Sequence, residues 1–161
     1  MTVGPLLAYR RANTIPDMER ALSAERLDAL RRLLEQDPDV EVAVVFGSAA
    51  ARRLSWDSDV DLYLRLAGGA RWTIEHQWQR RRLFADTVGR DVELVIEDRD
   101  ATSVILRREV ARKGRLLFEA APGAWTRLRA ESMIAYADLE PWLRRCGDGV
   151  RRAVRRRASL G

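Results

Sequence analysis

Two hydrophobic periods alternate along this chain. Leu22, Leu27, Leu30, Leu33 and Leu34 recur at helical spacing with charges between them, which predicts a helix over 17–36. Asp37-Pro38-Asp39 stops it. The apolar, β-branched run Val40–Phe46 predicts a buried strand. Gly47-Ser48 follows at once, then a short helix over Ala49–Leu54 and a loop from Ser55 to Ser58. Val60–Leu66 predicts a second strand, closed by Gly68-Gly69. Residues 71–88 have helical periodicity, with Trp72, Ile74, Trp78 and Leu83 as the apolar positions among arginines. After the Gly89-Arg90 turn come a third strand, Asp91–Ile96, a helix over 101–113 and a short fourth strand, Arg115–Phe118. Pro122-Gly123 opens a helical C-terminal region, expected to kink or split at Pro141 and at Gly147-Asp148-Gly149. Residues 1–16 form an arm ending at Pro16. No repeat or long linker interrupts this order. It predicts one domain over 1–161, with a core at about 17–119 and a helical, arginine-rich extension at 120–161.

Composition narrows the class. A chain of 161 residues that is 47% hydrophobic can build a core and is too apolar to be disordered. No apolar run reaches the ~18–20 residues of a membrane span. Met1–Arg11 has no apolar segment after a basic one, so no secretory signal is expected. The single cysteine, Cys146, rules out an intramolecular disulfide framework and fits a reducing, cytoplasmic setting. With one histidine beside it, a Cys/His zinc site is excluded as well.

The net charge of +5 first suggests a nucleic-acid binder, and its placement argues against that. Residues 1–140 carry 22 basic and 23 acidic side chains, whereas 141–161 carry seven arginines against Asp148 alone. The excess is a feature of the C-terminal tail. That tail reads as a solvated helix end, a dock for an acidic partner, or a non-specific phosphate contact. Nucleic acid is therefore not expected as the main target.

The stretch that carries chemistry runs from Phe46 to Leu64. A strand ends in Gly47-Ser48 where a helix begins. Glycine lets a ligand approach the backbone, and the free N–H groups with the Ser48 hydroxyl can hold a phosphate. A Gly-Ser in this place is also an ordinary turn and helix cap. Ten residues on, Asp59-Val60-Asp61-Leu62 places two carboxylates on one face of a strand while Val60 and Leu62 pack inward. A solvated strand face shows the same pattern, but paired carboxylates also repel unless a cation lies between them, and oxygen ligands suit Mg²⁺. Asp91 and Glu93 share a face of the next strand. If that strand pairs with Val60–Leu66, Glu93 is the better third carboxylate, because apolar residues flank it and Asp91 adjoins the turn. Three carboxylates and two metal ions form the two-metal arrangement for in-line phosphoryl chemistry.

Gly-Ser, a ten-residue gap, Asp-x-Asp and an apolar–acid–apolar strand together resemble the DNA polymerase β-like nucleotidyltransferases, and in particular the minimal nucleotidyltransferase (MNT) proteins. The segment Leu106–Glu119 also resembles their closing helix and strand, so the resemblance covers about residues 20–120. It implies an α+β (α/β) fold with a mixed three- to four-stranded sheet flanked by helices. It implies an ATP substrate with two Mg²⁺ ions, held by Asp59, Asp61 and Glu93 as metal ligands and catalytic groups. Gly47, Ser48, Arg52 and Ser58 would hold the nucleotide. Many MNT proteins are antitoxins that transfer AMP to a tyrosine of a HEPN ribonuclease toxin, and such a toxin is the implied partner. Related proteins modify aminoglycoside-type antibiotics, usually with a sizeable helical substrate domain, whereas about 40 residues follow Glu119 here. A binding antitoxin without catalysis is the third alternative. Two departures bear on activity. Ala51-Arg52 stands where the family often has Arg-Gly, and Glu93 where it more often has aspartate. His76 reads as a surface or packing residue and Cys146 as inert. The tryptophans read as core, except Trp56, which sits where it could stack on a base or line the acceptor pocket.

Overall fold

The computed structural model describes residues 22–50, 58–98 and 101–158, with the backbone alone over 149–158. The N-terminal arm, Arg52 and Trp56 lie outside the described residues.

The elements run α1 (Ala24–Glu35), β1 (Val40–Phe46), α2 (Gly47–Ala50), β2 (Val60–Leu66), α3 (Ile74–Val88), β3 (Val92–Ile96), α4 (Val104–Lys113), β4 (Arg115–Glu119) and α5 (Ala124–Ala158). The strands form one mixed sheet in the order β3-β2-β1-β4. β1 is antiparallel to both β2 and β4, whereas β2 and β3 run parallel, joined by α3 as the crossover. Helices cover both faces. α1 and α3 pack Leu30, Leu34, Phe84 and Val88 against Val60, Leu62 and Leu64, while α4 and α5 pack Val110 and Leu128 against Val42, Val44 and Tyr63. Alternation along β2 thus sends Val60, Leu62 and Leu64 to one layer and Asp61 and Tyr63 to the other.

Several expected boundaries move, each for a local reason. The first helix begins at Ala24, because the Ser23 hydroxyl accepts a hydrogen bond from the Arg26 amide (3.3 Å) and caps it. The fourth helix starts at Val104, because Thr102 is held back by its hydroxyl, which accepts from the Asp98 amide at 2.8 Å. The C-terminal region is one continuous 35-residue helix, split neither at Pro141 nor at Gly147–Gly149. Proline leaves the carbonyl four residues back without a donor, and Ala137, which carries it, lies on the exposed side of α5. α5 is started by Glu119, whose carboxylate accepts from the Trp125 amide at 2.9 Å.

The apolar positions expected to pack from the third helix are the largest correction. Ile74 and Trp78 are 76% and 63% exposed and Leu83 is 39% exposed, and the buried side is made by Phe84 and Val88. Trp78 and Trp142 are not core residues, unlike Trp72, whose indole N–H donates to Asp39 at 3.2 Å. His76 packs on Trp72 with ring centroids 4.8 Å apart and accepts from Arg80, in keeping with a packing role.

A buried ionic cluster ties the second helical layer to the sheet. Glu97 at the end of β3 pairs with Arg65 of β2 and Arg107 of α4, and Arg65 also reaches Glu131 of α5 at 2.9 Å. Removing Glu97 would leave the buried Arg107 guanidinium without this counter-charge, whereas Arg65 would keep Glu131. Among the described residues no helix is long and apolar enough to cross a membrane.

Candidate active site

The site lies at the end of the sheet where β1 finishes and β2 and β3 begin. Phe46 pairs with Asp61 across the antiparallel ladder, and Asp61 pairs with Glu93 across the parallel one. The Val60 amide donating to the Asp91 carbonyl at 2.8 Å fixes the start of that pairing. The predicted neighbourhood of the second and third strands is therefore real, and the register sets the two acids side by side on one face.

Their electrostatics follow from that placement. Asp61 is held above the ordinary aspartate range, first by burial, then by repulsion from Glu93 and from Asp59, with a hydrogen bond to Glu93 adding to the rise. Two carboxyls bond to each other only if a proton lies between them, so the pair stores negative charge that a cation could take over. Asp59, on the exposed approach to β2, stands within electrostatic reach of the pair. Among the described residues no three His, Cys, Asp or Glu side chains converge into a metal-holding group. What is gathered is a pair with a third acid nearby. Mg²⁺ is commonly bound by one or two carboxylates, with waters and substrate phosphates completing the shell, so the donor set suits it without a closed cage.

Gly47 meets Asp61 at close quarters. It sits in the left-handed region at φ 63°, and a Cβ there would fall well inside contact distance of the Asp61 carboxylate. Glycine is thus required twice over, for the backbone turn and for the room it leaves beside the acid. The described part of α2 begins at this residue, two positions earlier than the sequence pattern indicates, so Ser48 lies in its first turn. Ser58, the other expected nucleotide contact, is half-buried and gives its backbone carbonyl to Arg90 at 3.4 Å. Arg52 lies outside the described residues.

A cavity of about 440 Å³ opens beside the acids, lined by Asp59 just before β2, by Glu93 and Leu94 of β3, and by Ile74, Gln77, Trp78 and Arg81 of α3. Ile74 and Trp78 were missed as site residues. The one signal available was their spacing, four apart on a stripe roughly a quarter-turn from Phe84 and Val88.

Comparison with known proteins gives the same picture at family level. The family described as polymerase beta, nucleotidyltransferase matches residues 28–122. A chain from a toxin–antitoxin complex solved with AMP-PNP is 20% identical, with a TM-score of 0.63 over 78% of this chain and 95% of that one. A chain of the toxin–antitoxin MntA–HepT is 19% identical, with a TM-score of 0.60 over 78% and 96%. A third match, at 19% identity and a TM-score of 0.55 over 74% and 98%, comes from the tri-AMPylated Shewanella oneidensis HEPN toxin in complex with MNT antitoxin. These likenesses establish the fold. A search of curated protein sequences returns no match.

Proposed function

From the fact that this chain belongs to the polymerase beta nucleotidyltransferase family, whose match covers more than half of it, we propose that it transfers AMP from Mg²⁺-bound ATP to a tyrosine of a HEPN-type ribonuclease toxin and so acts as the antitoxin. The observation that carries this reading is the Asp61–Glu93 pair, set on neighbouring parallel strands with Gly47 cleared beside it. The solved structures with the same fold support the choice of nucleotide and partner, one containing AMP-PNP and another an AMPylated toxin.

In this reading Gly47 and Ser48 hold the outer phosphates at the start of α2, and Asp59, Asp61 and Glu93 hold Mg²⁺. The metal supplies positive charge that offsets the negative charge growing on the transferring phosphoryl group. Glu93 takes the proton from the attacking hydroxyl. The hydroxyl oxygen bonds to the α-phosphorus and pyrophosphate leaves with the electrons of the broken P–O bond. Glu93 carries one methylene more than aspartate, which extends its reach from β3 toward the acceptor.

The test is incubation with labelled ATP, Mg²⁺ and the product of the adjacent gene. Label should reach a tyrosine of that protein, and Asp59→Ala/Asp61→Ala should abolish both labelling and neutralisation. Label on an aminoglycoside with no protein present would move the chain to the antibiotic-modifying class. A stable complex with no Mg²⁺–ATP affinity would make it a binding antitoxin.

A further inference from the structure

Trp78 and Ile74 are out of place on an ordinary surface. They stand 63% and 76% exposed, one helical turn apart, and share a cavity with Asp59 and Glu93. Large apolar side chains held in water beside catalytic acids mark a surface meant to be covered. We infer that this groove, between α3 and the open edge of β3, is the acceptor's seat. It takes a tyrosine-bearing segment of the protein acceptor, with Trp78 and Ile74 as its apolar wall and Asp59 and Glu93 at the end where the hydroxyl is received. The inference rests on the transfer reading above and names the residues that choose its acceptor.

The direction of approach follows from the sheet order. Gly47 leads out of β1, the acids lie on β2 and β3, and the groove lies on the β3 side. In-line displacement sets the leaving and attacking oxygens on opposite sides of the phosphorus. With the outer phosphates at Gly47 and Ser48, the leaving group departs on the β1 side and the attacking oxygen enters from β3, through the groove.

The lining selects the chemistry. A second polyphosphate would need cations. Among the described residues Arg81 is the one cation in the lining, and it is turned onto the protein. Its Nε donates to the Val92 carbonyl at 2.7 Å, closing part of the β3 edge, and its guanidinium lies 5.7 Å from the Trp78 ring centre. Among the described residues the acids in the lining are Asp59 and Glu93, both assigned to the chemistry, which leaves none of those described to hold a polycationic aminoglycoside. An indole, an isoleucine and Leu94 leading to two carboxylates suit a phenol, which presents an apolar ring with a hydroxyl at its tip. About 440 Å³ admits such a side chain with part of its flanking segment.

The experiment compares wild type, Trp78→Ala, Trp78→Phe and Ile74→Ser. AMP transfer is followed against concentration of the adjacent gene's product, and Mg²⁺–ATP affinity is measured separately without it. Trp78→Ala should raise the acceptor KM about tenfold or more, as truncation of a buried aromatic anchor does. Its nucleotide affinity and unfolding midpoint should stay unchanged, and Trp78→Phe should recover most of the loss. Ile74→Ser should act in the same direction. An unchanged acceptor KM in Trp78→Ala, with wild type active, overturns the groove assignment alone. Lost nucleotide affinity in that variant also overturns it and makes the groove a nucleoside site. A wild type that transfers no AMP overturns the transfer reading and the groove with it.

Discussion

Asp61 concentrates the tension in this molecule. Its carboxyl is held above 3.8, the value of an unperturbed aspartate, by burial and then by Glu93 and Asp59. The folded chain therefore keeps a proton that the unfolded chain has released. Folding then takes up a proton, and the stability of the metal-free protein falls as pH rises from the ordinary aspartate value until Asp61 itself ionises. Asp61→Asn removes the charge while preserving the shape that Gly47 accommodates. In chelator at neutral pH this variant should unfold at a higher temperature than wild type and lose the Asp61 part of the pH slope. Mg²⁺ should raise the midpoint of wild type more than that of the variant, and transfer should fall on the order of 10²-fold or more, the scale of losing one preorganised electrostatic stabiliser. Thermal unfolding across a pH series checks it. A variant less stable than wild type without metal would show that the acid is not strained in place. The face each acid takes within its own strand was legible in the sequence, because strand alternation decides it, whereas the pairing of Asp61 with Glu93 stood there only as a condition and is set by the parallel register of β2 and β3. Trp78 was not legible. Its exposure depends on which stripe of α3 meets the sheet, and that is decided by Phe84 and Val88 against strands distant in sequence.

Between elements, the site depends on how closely layers approach the sheet. β1 is central, hydrogen-bonded to β2 and β4, and it ends at Phe46, directly before Gly47. Whatever displaces β1 displaces the phosphate end of the site. Gly114, where α4 turns into β4, is the closest such contact. Its backbone is unremarkable at φ −66°, but a Cβ there would overlap a Val44 methyl of β1 and the Val110 carbonyl. The requirement is steric, not conformational. Gly114→Ala should cost about 1–3 kcal/mol, the range for overpacking a filled core. At roughly 2–4 °C per kcal/mol for a chain of this size, the loss is readable in the melting midpoint. Gly68→Ala, whose Cβ meets nothing within 4 Å, shows by contrast the backbone cost alone. A Gly114→Ala midpoint equal to wild type would mean that α4 is not seated on β1. The four strands were readable because β-branched runs are short and sharply bounded. The unbroken α5 was not. Pro141 and Gly147 are breaking signals, yet the helix runs through both.

Taken whole, the molecule divides into an anchored core and a long helix that leaves it. α5 spans ~52 Å at 1.5 Å per residue, yet among its described side chains the buried ones, Ala124, Leu128 and Ser132, lie in its first nine residues. From Met133 to Asp148 no side chain is buried, and Ile134 and Trp142 are 64% and 54% exposed. The charge partition visible in the sequence falls on this same unanchored part, since Arg144 and Arg145 precede five more arginines at 151–157. Beyond Tyr136, whose ring lies 4.0 Å from the Arg108 guanidinium, the described side chains of α5 are at most half-buried, so this stretch with its surplus positive charge adds little to core stability and is available to an acidic partner. Deleting residues 148–161 removes five arginines and Asp148, taking the net charge from +5 to +1. The melting midpoint should stay within about 2 °C of wild type, a change of less than about 1 kcal/mol. Affinity for the partner should fall several-fold at low salt, with the difference shrinking as ionic strength rises and the Debye length contracts below ~10 Å. Titration of the full chain and the truncation against the partner at two salt concentrations measures this. Equal affinities at both would make the arginine tail solvated surface and leave partner choice to the groove beside Trp78.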